Sequence, residues 1–336
     1  MFKLFYDGLF MSKIAGINGF GRFGLHLIKY WLDRAEDCAF EITYINDDFL
    51  NIDHIQQILL NDKAVFFNKY KIKKIGNILR FLKADGTAYE VICSNTKKDE
   101  IPWLGEPDLF FECSGKNTMR DDSISFLTGN TKTVIISATS WDPDKTIVYG
   151  FNHEEYSNKD RIISYGSCTV NAYVPLAKYI HEEFGVLDSD VNVIHNIQEY
   201  VLEDNLTLNR KFCTLEKSAV QLLDFVSETN FVVNYTVIPY TGVSMIDFRF
   251  RVNHVKSIES FLEKFEDSVA NGPLKGLYGI SEKDRGPEVH NCTPYSSVII
   301  REGIKIKNNN IYLPAYFDNE NSVNRYYDLI DFIARR

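Results

Sequence analysis

The sequence predicts an α/β protein of two domains. The first is a mostly parallel sheet with helices on both faces, and the second is an α+β unit on a mainly antiparallel sheet. Three observations lead there. The chain has 336 residues, which at roughly 150 residues per domain gives about two. In the N-terminal half, short buried apolar runs alternate with helical patterns, and parallel strands require such crossovers. From Val191 the texture changes to longer alternating strands, as in an antiparallel sheet with one covered face.

Taken in order, Lys13 to Ile17 is a short apolar run ending in glycines, and Leu25, Ile28 and Leu32 then share one helical face. Phe40 to Ile45 is the next β-rich run. Tyr70 to Ile92, with Asp85-Gly86 as its turn, reads as an antiparallel appendage. Leu109 to Phe111 and Val134 to Ser137 are short buried strands closed by small or polar residues. Val170, Val174, Ala177, Ile180 and Phe184 mark a helix that stops at Gly185. Val191 to Gln198, Tyr235 to Pro239 and Val243 to Val252 follow as strands, and Ser257 to Asn271 and Asn324 to Arg336 as helices. The expected domains are residues 11–167 and 168–317, with a C-terminal helix, 318–336, packing back on the first; residues 1–10 read as an extension.

Composition excludes several classes. Apolar residues make up 45% and charged residues 25%, an ordinary globular balance. A net charge of -9 opposes sequence-independent binding to nucleic acid. No window is apolar enough to span a bilayer, and with Asp7 inside it the N-terminus is a poor signal peptide, so a cytoplasmic protein is expected. Six cysteines lie far apart without metal-ligand spacing, so neither a disulfide framework nor a metal site is expected.

Two groups of residues carry chemistry. Gly19-Phe20-Gly21-Arg22-Phe23-Gly24 fits GxGxxG between a strand and a helix, and Asp47 ends the next strand 23 residues after Gly24. The first glycine makes the tight turn, the second lets a pyrophosphate approach, and the helix start offers unpaired N–H groups. Asp47 would hold the ribose hydroxyls and repel a 2′-phosphate, which favours NAD over NADP. Cys168 opens a helix, where free N–H groups and the macrodipole stabilise a thiolate. His195 lies in the following strand. By itself it reads as a core histidine, but beside such a cysteine it is the base that nucleophilic catalysis needs.

Through these and further motifs the chain resembles glyceraldehyde-3-phosphate dehydrogenase. The shared stretches are NGFGRFG (Asn18 to Gly24), INDDF (Ile45 to Phe49), ECSG (Glu112 to Gly115), VIISATS (Val134 to Ser140) and GFNHEEY (Gly150 to Tyr156). They continue with SCTVNAYVPLAK (Ser167 to Lys178), NGPLKG (Asn271 to Gly276) and FDNE (Phe317 to Glu320). The resemblance implies a Rossmann NAD-binding domain followed by a catalytic domain, with Cys168 as nucleophile and His195 as its base. It places Asn18, Gly19, Phe20, Gly21, Arg22, Gly24, Asp47, Ser114, Gly115, Ser137 and Asn319 at the NAD, with Asn319 on the nicotinamide carboxamide. It also implies a homo-oligomer, tetramer or dimer.

The resemblance breaks at the anion subsites. Gln198 stands where the family has threonine, and Val237 where an arginine opens its RVP motif. The TG pair that helps bind inorganic phosphate has no evident counterpart, leaving Ser167 and Thr169 from that subsite, while Arg210, Lys211 and Lys217 are candidates for a relocated anion site. The expected function is NAD-dependent oxidation of a small aldehyde other than glyceraldehyde 3-phosphate, through a cysteine thioester, with Ser167, Thr169, Gln198 and Arg210 at the substrate. Two alternatives stand beside it: an authentic phosphorylating enzyme with anion ligands from residues 199–236, and a catalytically idle NAD-binding regulatory protein. Retention of Cys168 and His195 counts against the idle relative.

Overall fold

The computed structural model describes residues 12–197, 209–239, 242–317 and 319–336. Residues 1–10 and Gln198 lie outside the described residues. The chain divides into two compact units: residues 1–147, 153–165 and 326–336 form one, and residues 148–152 and 166–325 the other.

The first unit contains β1 (Lys13–Asn18), α1 (Arg22–Arg34), β2 (Phe40–Asn46), α2 (Ile52–Asn61), β3 (Lys71–Ile75), β4 (Ile78–Leu82) and β5 (Ala88–Ser94). It continues with β6 (Leu109–Glu112), α3 (Arg120–Ser123), β7 (Thr133–Ile136), β8 (Lys145–Thr146) and β9 (Ile162–Ser164). Its sheet runs β3-β4-β5-β2-β1-β6-β7-β9-β8. Every pairing from β5 to β8 is parallel. Only the β3–β4 and β4–β5 pairings, at one edge, are antiparallel. The predicted Tyr70 to Ile92 hairpin is therefore three strands, because Gly76 (φ +61°) makes a turn before the one at Gly86 (φ +90°). Strand order reverses at β1, which lies between β2 and β6, and open α/β sheets bind ligands at such a switch point.

The second unit contains α4 (Cys168–Phe184), β10 (Val186–Ile197), β11 (Asn209–Arg210), α5 (Thr214–Leu222), β12 (Phe231–Pro239), β13 (Ser244–Val252) and α6 (Ile258–Ala270). After these come β14 (Tyr278–Ser281), β15 (Ser297–Ile300), β16 (Lys305–Lys307), β17 (Asn310–Phe317) and α7 (Asn319–Ala334), whose residues from Tyr326 belong to the first unit. Within that unit the Tyr326 hydroxyl donates to the Ile135 carbonyl (2.6 Å), tying the end of α7 to β7. The second sheet runs β11-β12-β10-β13-β17-β15-β14, with β16 on β17. It is mainly antiparallel. The sequence did not reveal that β10 and β12 pair in parallel.

Helix α4 is buried along almost its whole length. Tyr173 packs against Phe231 of β12 (4.8 Å between centroids, tilted by 32°) and stacks on Phe250 of β13 (5.8 Å). Pro175 sits inside the helix, where it crowds the preceding turn. There the Tyr278 hydroxyl inserts into the ladder, accepting from Leu176 N (3.0 Å) and donating to the Ala172 carbonyl (2.8 Å). Ser167 caps the N-terminus by accepting from Val170 N, and Gly185 (φ +69°) ends the helix. Position and start of α4 are thus both fixed, and Cys168 is its first residue.

Candidate active site

In the first unit, the glycine loop shows three different constraints. Gly19 has φ +99°, and a Cβ there would lie 2.5 Å from the Ser114 backbone. A Cβ on Gly24 would come within 2.6 Å of the Gly19 carbonyl, so helix and loop touch because it is absent. Gly21 faces open space, with nothing within 4 Å of such a Cβ. This is the cradle a pyrophosphate needs, beside a helix start without a side-chain cap or an acidic residue in its first turn. The Asp47 carboxylate accepts from the N–H groups of Phe20 (2.7 Å), Phe49 (2.9 Å) and Leu50 (2.7 Å). A carboxylate has about four acceptor sites, so one remains for a ribose hydroxyl. A cavity of about 220 Å³ opens between the ends of these strands, lined by Asn18, Gly19, Asp48, Lys97, Ser114 and Lys116 among others. These residues fit a dinucleotide.

The other proposed cofactor residues divide by what their side chains do. Phe20 is core, 1% exposed, and offers only its backbone. Asn18 spends its amide between Glu112 and Asn46, joining β6 and β2 to β1. Arg22 is ion-paired with Asp62. The Ser114 hydroxyl bonds Glu112, while Gly115 (φ +69°) leaves open space above its backbone. Ser137 follows β7 and donates its N–H to the Glu112 carbonyl (2.9 Å). Asn319 opens α7. Glu112 had no assigned role, yet its buried carboxylate accepts from Asn18, Ser114 and Asn117 and holds the loop after β6 against β1.

In the second unit, Cys168 Sγ lies 3.4 Å from His195 Nε2, and both residues are buried. His195 Nδ1 is 2.5 Å from the Asn196 carbonyl oxygen. A carbonyl can only accept, so Nδ1 carries a proton, and in the neutral imidazole Nε2 is then the acceptor that faces the thiol. Asn196 is itself locked: its N–H donates to Ser244 Oγ (2.9 Å), whose hydroxyl donates to Asn196 Oδ1 (2.6 Å). This orienting pair escaped the sequence reading, because only the β10–β13 pairing brings the two residues together. Tyr235 and Phe317 flank the imidazole at 5.6 and 5.5 Å between centroids.

Beside the thiol lies a cluster of hydroxyls. Ser167 Oγ is 3.1 Å from Thr169 Oγ1, and Thr214 donates to Ser167 Oγ (3.2 Å). Thr214 was not among the sequence candidates, and the structure adds its hydroxyl to those of Ser167 and Thr169. The available signal was a threonine just before the helically spaced Leu215, Ala219 and Leu222. Arg210 calls for a correction. It pairs with Thr236, whereas His195 pairs with Val237, so strand alternation puts Arg210 on the face away from the imidazole. Lys217 lies over the Phe212 ring (5.5 Å). Val237 is buried, an apolar neighbour of His195.

Among the described residues no cluster of side chains could hold a metal ion, and no helix is long and apolar enough to cross a membrane. No family model matches the chain. It is 28% identical to glyceraldehyde-3-phosphate dehydrogenase 4 of Caenorhabditis elegans over 345 residues, covering 97% of this chain and 100% of the relative. The identity to glyceraldehyde-3-phosphate dehydrogenase 1 of Bacillus cereus is 26%, covering 97% and 99%. With the cytosolic glyceraldehyde-3-phosphate dehydrogenase of Dianthus caryophyllus it is 29%, covering 91% and 93%.

Proposed function

We infer that this chain, a divergent member of the glyceraldehyde-3-phosphate dehydrogenase family, is an NAD-dependent dehydrogenase that oxidises a small aldehyde through a thioester on Cys168. The observation that carries the reading is the 3.4 Å contact between Cys168 Sγ and His195 Nε2. Nε2 takes the thiol proton, and the thiolate forms a C–S bond to the aldehyde carbon. The carbonyl π electrons move to oxygen, which His195 then protonates to give a hemithioacetal. Bound NAD supplies the hydride acceptor. As the hydride leaves the carbon, His195 takes the hydroxyl proton back, the C=O re-forms, and Cys168 holds a thioester. An oxygen nucleophile then expels the thiolate and releases the product.

The substrate assignment rests on two sequence differences, Gln198 and Val237, where the family has threonine and arginine. A phosphate dianion needs charge-assisted donors worth about 1.5 to 3 kcal/mol each, and a buried valine beside His195 offers none. Glyceraldehyde 3-phosphate should therefore be a poor substrate, by a factor of roughly 30 to several thousand in kcat/KM relative to a phosphorylating enzyme, from a loss of about 2 to 5 kcal/mol. An aldehyde panel followed by NADH absorbance, with product masses taken with and without phosphate, checks this. Water is the expected acceptor, giving the acid. Efficient phosphate-dependent turnover of glyceraldehyde 3-phosphate would overturn the reading. The hydroxyl cluster of Ser167, Thr169 and Thr214 favours one second reading, in which phosphate accepts the acyl group and an acyl phosphate is released.

Asp47 sets the cofactor preference. Its carboxylate would repel a 2′-phosphate, so NAD should be preferred over NADP, and Asp47→Asn should narrow the ratio of catalytic efficiencies by about tenfold or more. Equal efficiency with both cofactors in the unmodified enzyme would contradict the assignment. A homo-oligomer is expected with the family, and light scattering measures it directly.

A further inference from the structure

The wall of the site formed by β12 contains one group that the reaction has not used. Val193 pairs with Tyr235 and His195 with Val237, and residues opposite each other in a parallel pair share a face. Phe231, on the same face of β12, packs against Tyr173 of α4. Tyr235 therefore stands on the side of the sheet that carries α4 and its first residue, Cys168. Its ring centroid is 5.6 Å from that of His195, with the planes tilted by 48°. The residue is half-buried, and no described residue hydrogen-bonds its hydroxyl.

The electrostatic surroundings fit a proton donor. Burial pushes the phenol up, and the thiols of Cys168 and Cys213 add to the shift, so the O–H persists at neutral pH. Cys213 Sγ in turn lies 3.6 Å from Thr169 Oγ1, next to the residue that opens α4. His195 Nε2 already serves the thiol and the carbonyl oxygen that reacts there. A separate donor on the neighbouring strand addresses a different substrate atom, and the adjacent Val237 makes the surroundings apolar.

We propose that Tyr235 is the specificity-determining residue of the aldehyde site, donating its O–H to a hydroxyl on the aldehyde's own chain and closing the site to long tails. The substrate class is then a short, uncharged hydroxyaldehyde. The assignment rests on the dehydrogenase reading above and narrows it to one class.

The test compares lactaldehyde with propionaldehyde, which differ by one hydroxyl, in the unmodified enzyme, Tyr235→Phe and Tyr235→Ala. The unmodified enzyme should favour lactaldehyde. In Tyr235→Phe, kcat/KM for lactaldehyde should fall about 3- to 10-fold, the scale of one hydrogen bond, with propionaldehyde changed less than about twofold. Tyr235→Ala should gain activity on pentanal relative to propionaldehyde. Equal losses on both aldehydes in Tyr235→Phe would make the phenol a general support of the site and overturn the proposal, as would no change on either. Iodoacetamide labelling separates this from failure of the parent reading. If Cys168 of the unmodified enzyme is labelled no faster than the other cysteines, the thiol chemistry itself is refuted. If it is labelled fast, and equally fast in Tyr235→Phe, but the aldehyde preference does not move, only the role of Tyr235 falls.

Discussion

Cys168→Ser is expected to lower turnover by at least about 1000-fold while leaving NAD binding within about twofold of the unmodified protein. A serine hydroxyl at this position is not ionised near neutral pH, and without an anionic sulfur no thioester forms. The substitution removes no packing volume of consequence at a helix start held by the Ser167 cap. Apart from Asn319, the proposed dinucleotide residues belong to the first unit, whereas Cys168 belongs to the second. Turnover and titration with NADH, followed by fluorescence, read the two effects separately, and comparable activity in the serine variant would sink the mechanism.

The remaining cysteines sharpen the same test. Burial pushes the Cys93 thiol up to about 12 and Cys113 higher still. Cys38 and Cys213 shift in the same direction for the same reason. These four are held as unreactive thiols at neutral pH. Mass-mapped alkylation should therefore label Cys168 well ahead of them, with Cys292, on the half-exposed stretch after His290, as the site to resolve by mass.

What the sequence disclosed and what it concealed follow from how far apart the cooperating residues lie. The first strand, the glycine loop and α1 are contiguous, so period and spacing reveal them together. Helix α4 was legible for the same reason, with a cap, an apolar face and a terminal glycine in one run. Asn196 and Ser244 are separated by 48 positions and meet only through sheet pairing, which no local pattern encodes. Arg210 fails for a related reason. It belongs to a strand of two residues, Asn209–Arg210, too short for an alternation to show which face its side chain takes. Tyr235 was visible as a strand aromatic, but its place beside His195 depends on β12 joining β10 in parallel, and the intervening segment gives no sign of that pairing.

His195→Asn is expected to slow oxidation by roughly 100- to 10,000-fold, the range for loss of a general base. Asparagine approximates the size of imidazole and can still hydrogen-bond the Asn196 carbonyl, so the strand should keep its shape. It has no nitrogen able to take a proton, and the thiol would then have to ionise with only the helix start to help it. The loss should accordingly depend on pH. In the unmodified enzyme, alkylation of Cys168 should level off once Nε2 has accepted the proton. In His195→Asn the rate should be lower near neutrality and keep climbing at alkaline pH, as the unassisted thiol ionises. Ser244→Ala provides the graded control, because it frees Asn196 without touching the imidazole and should cost less than His195→Asn while shifting the alkylation profile the same way. A loss of tenfold or less in His195→Asn, with an alkylation profile matching that of the unmodified enzyme, would leave His195 as a packing residue between Tyr235 and Phe317 and require another base for Cys168.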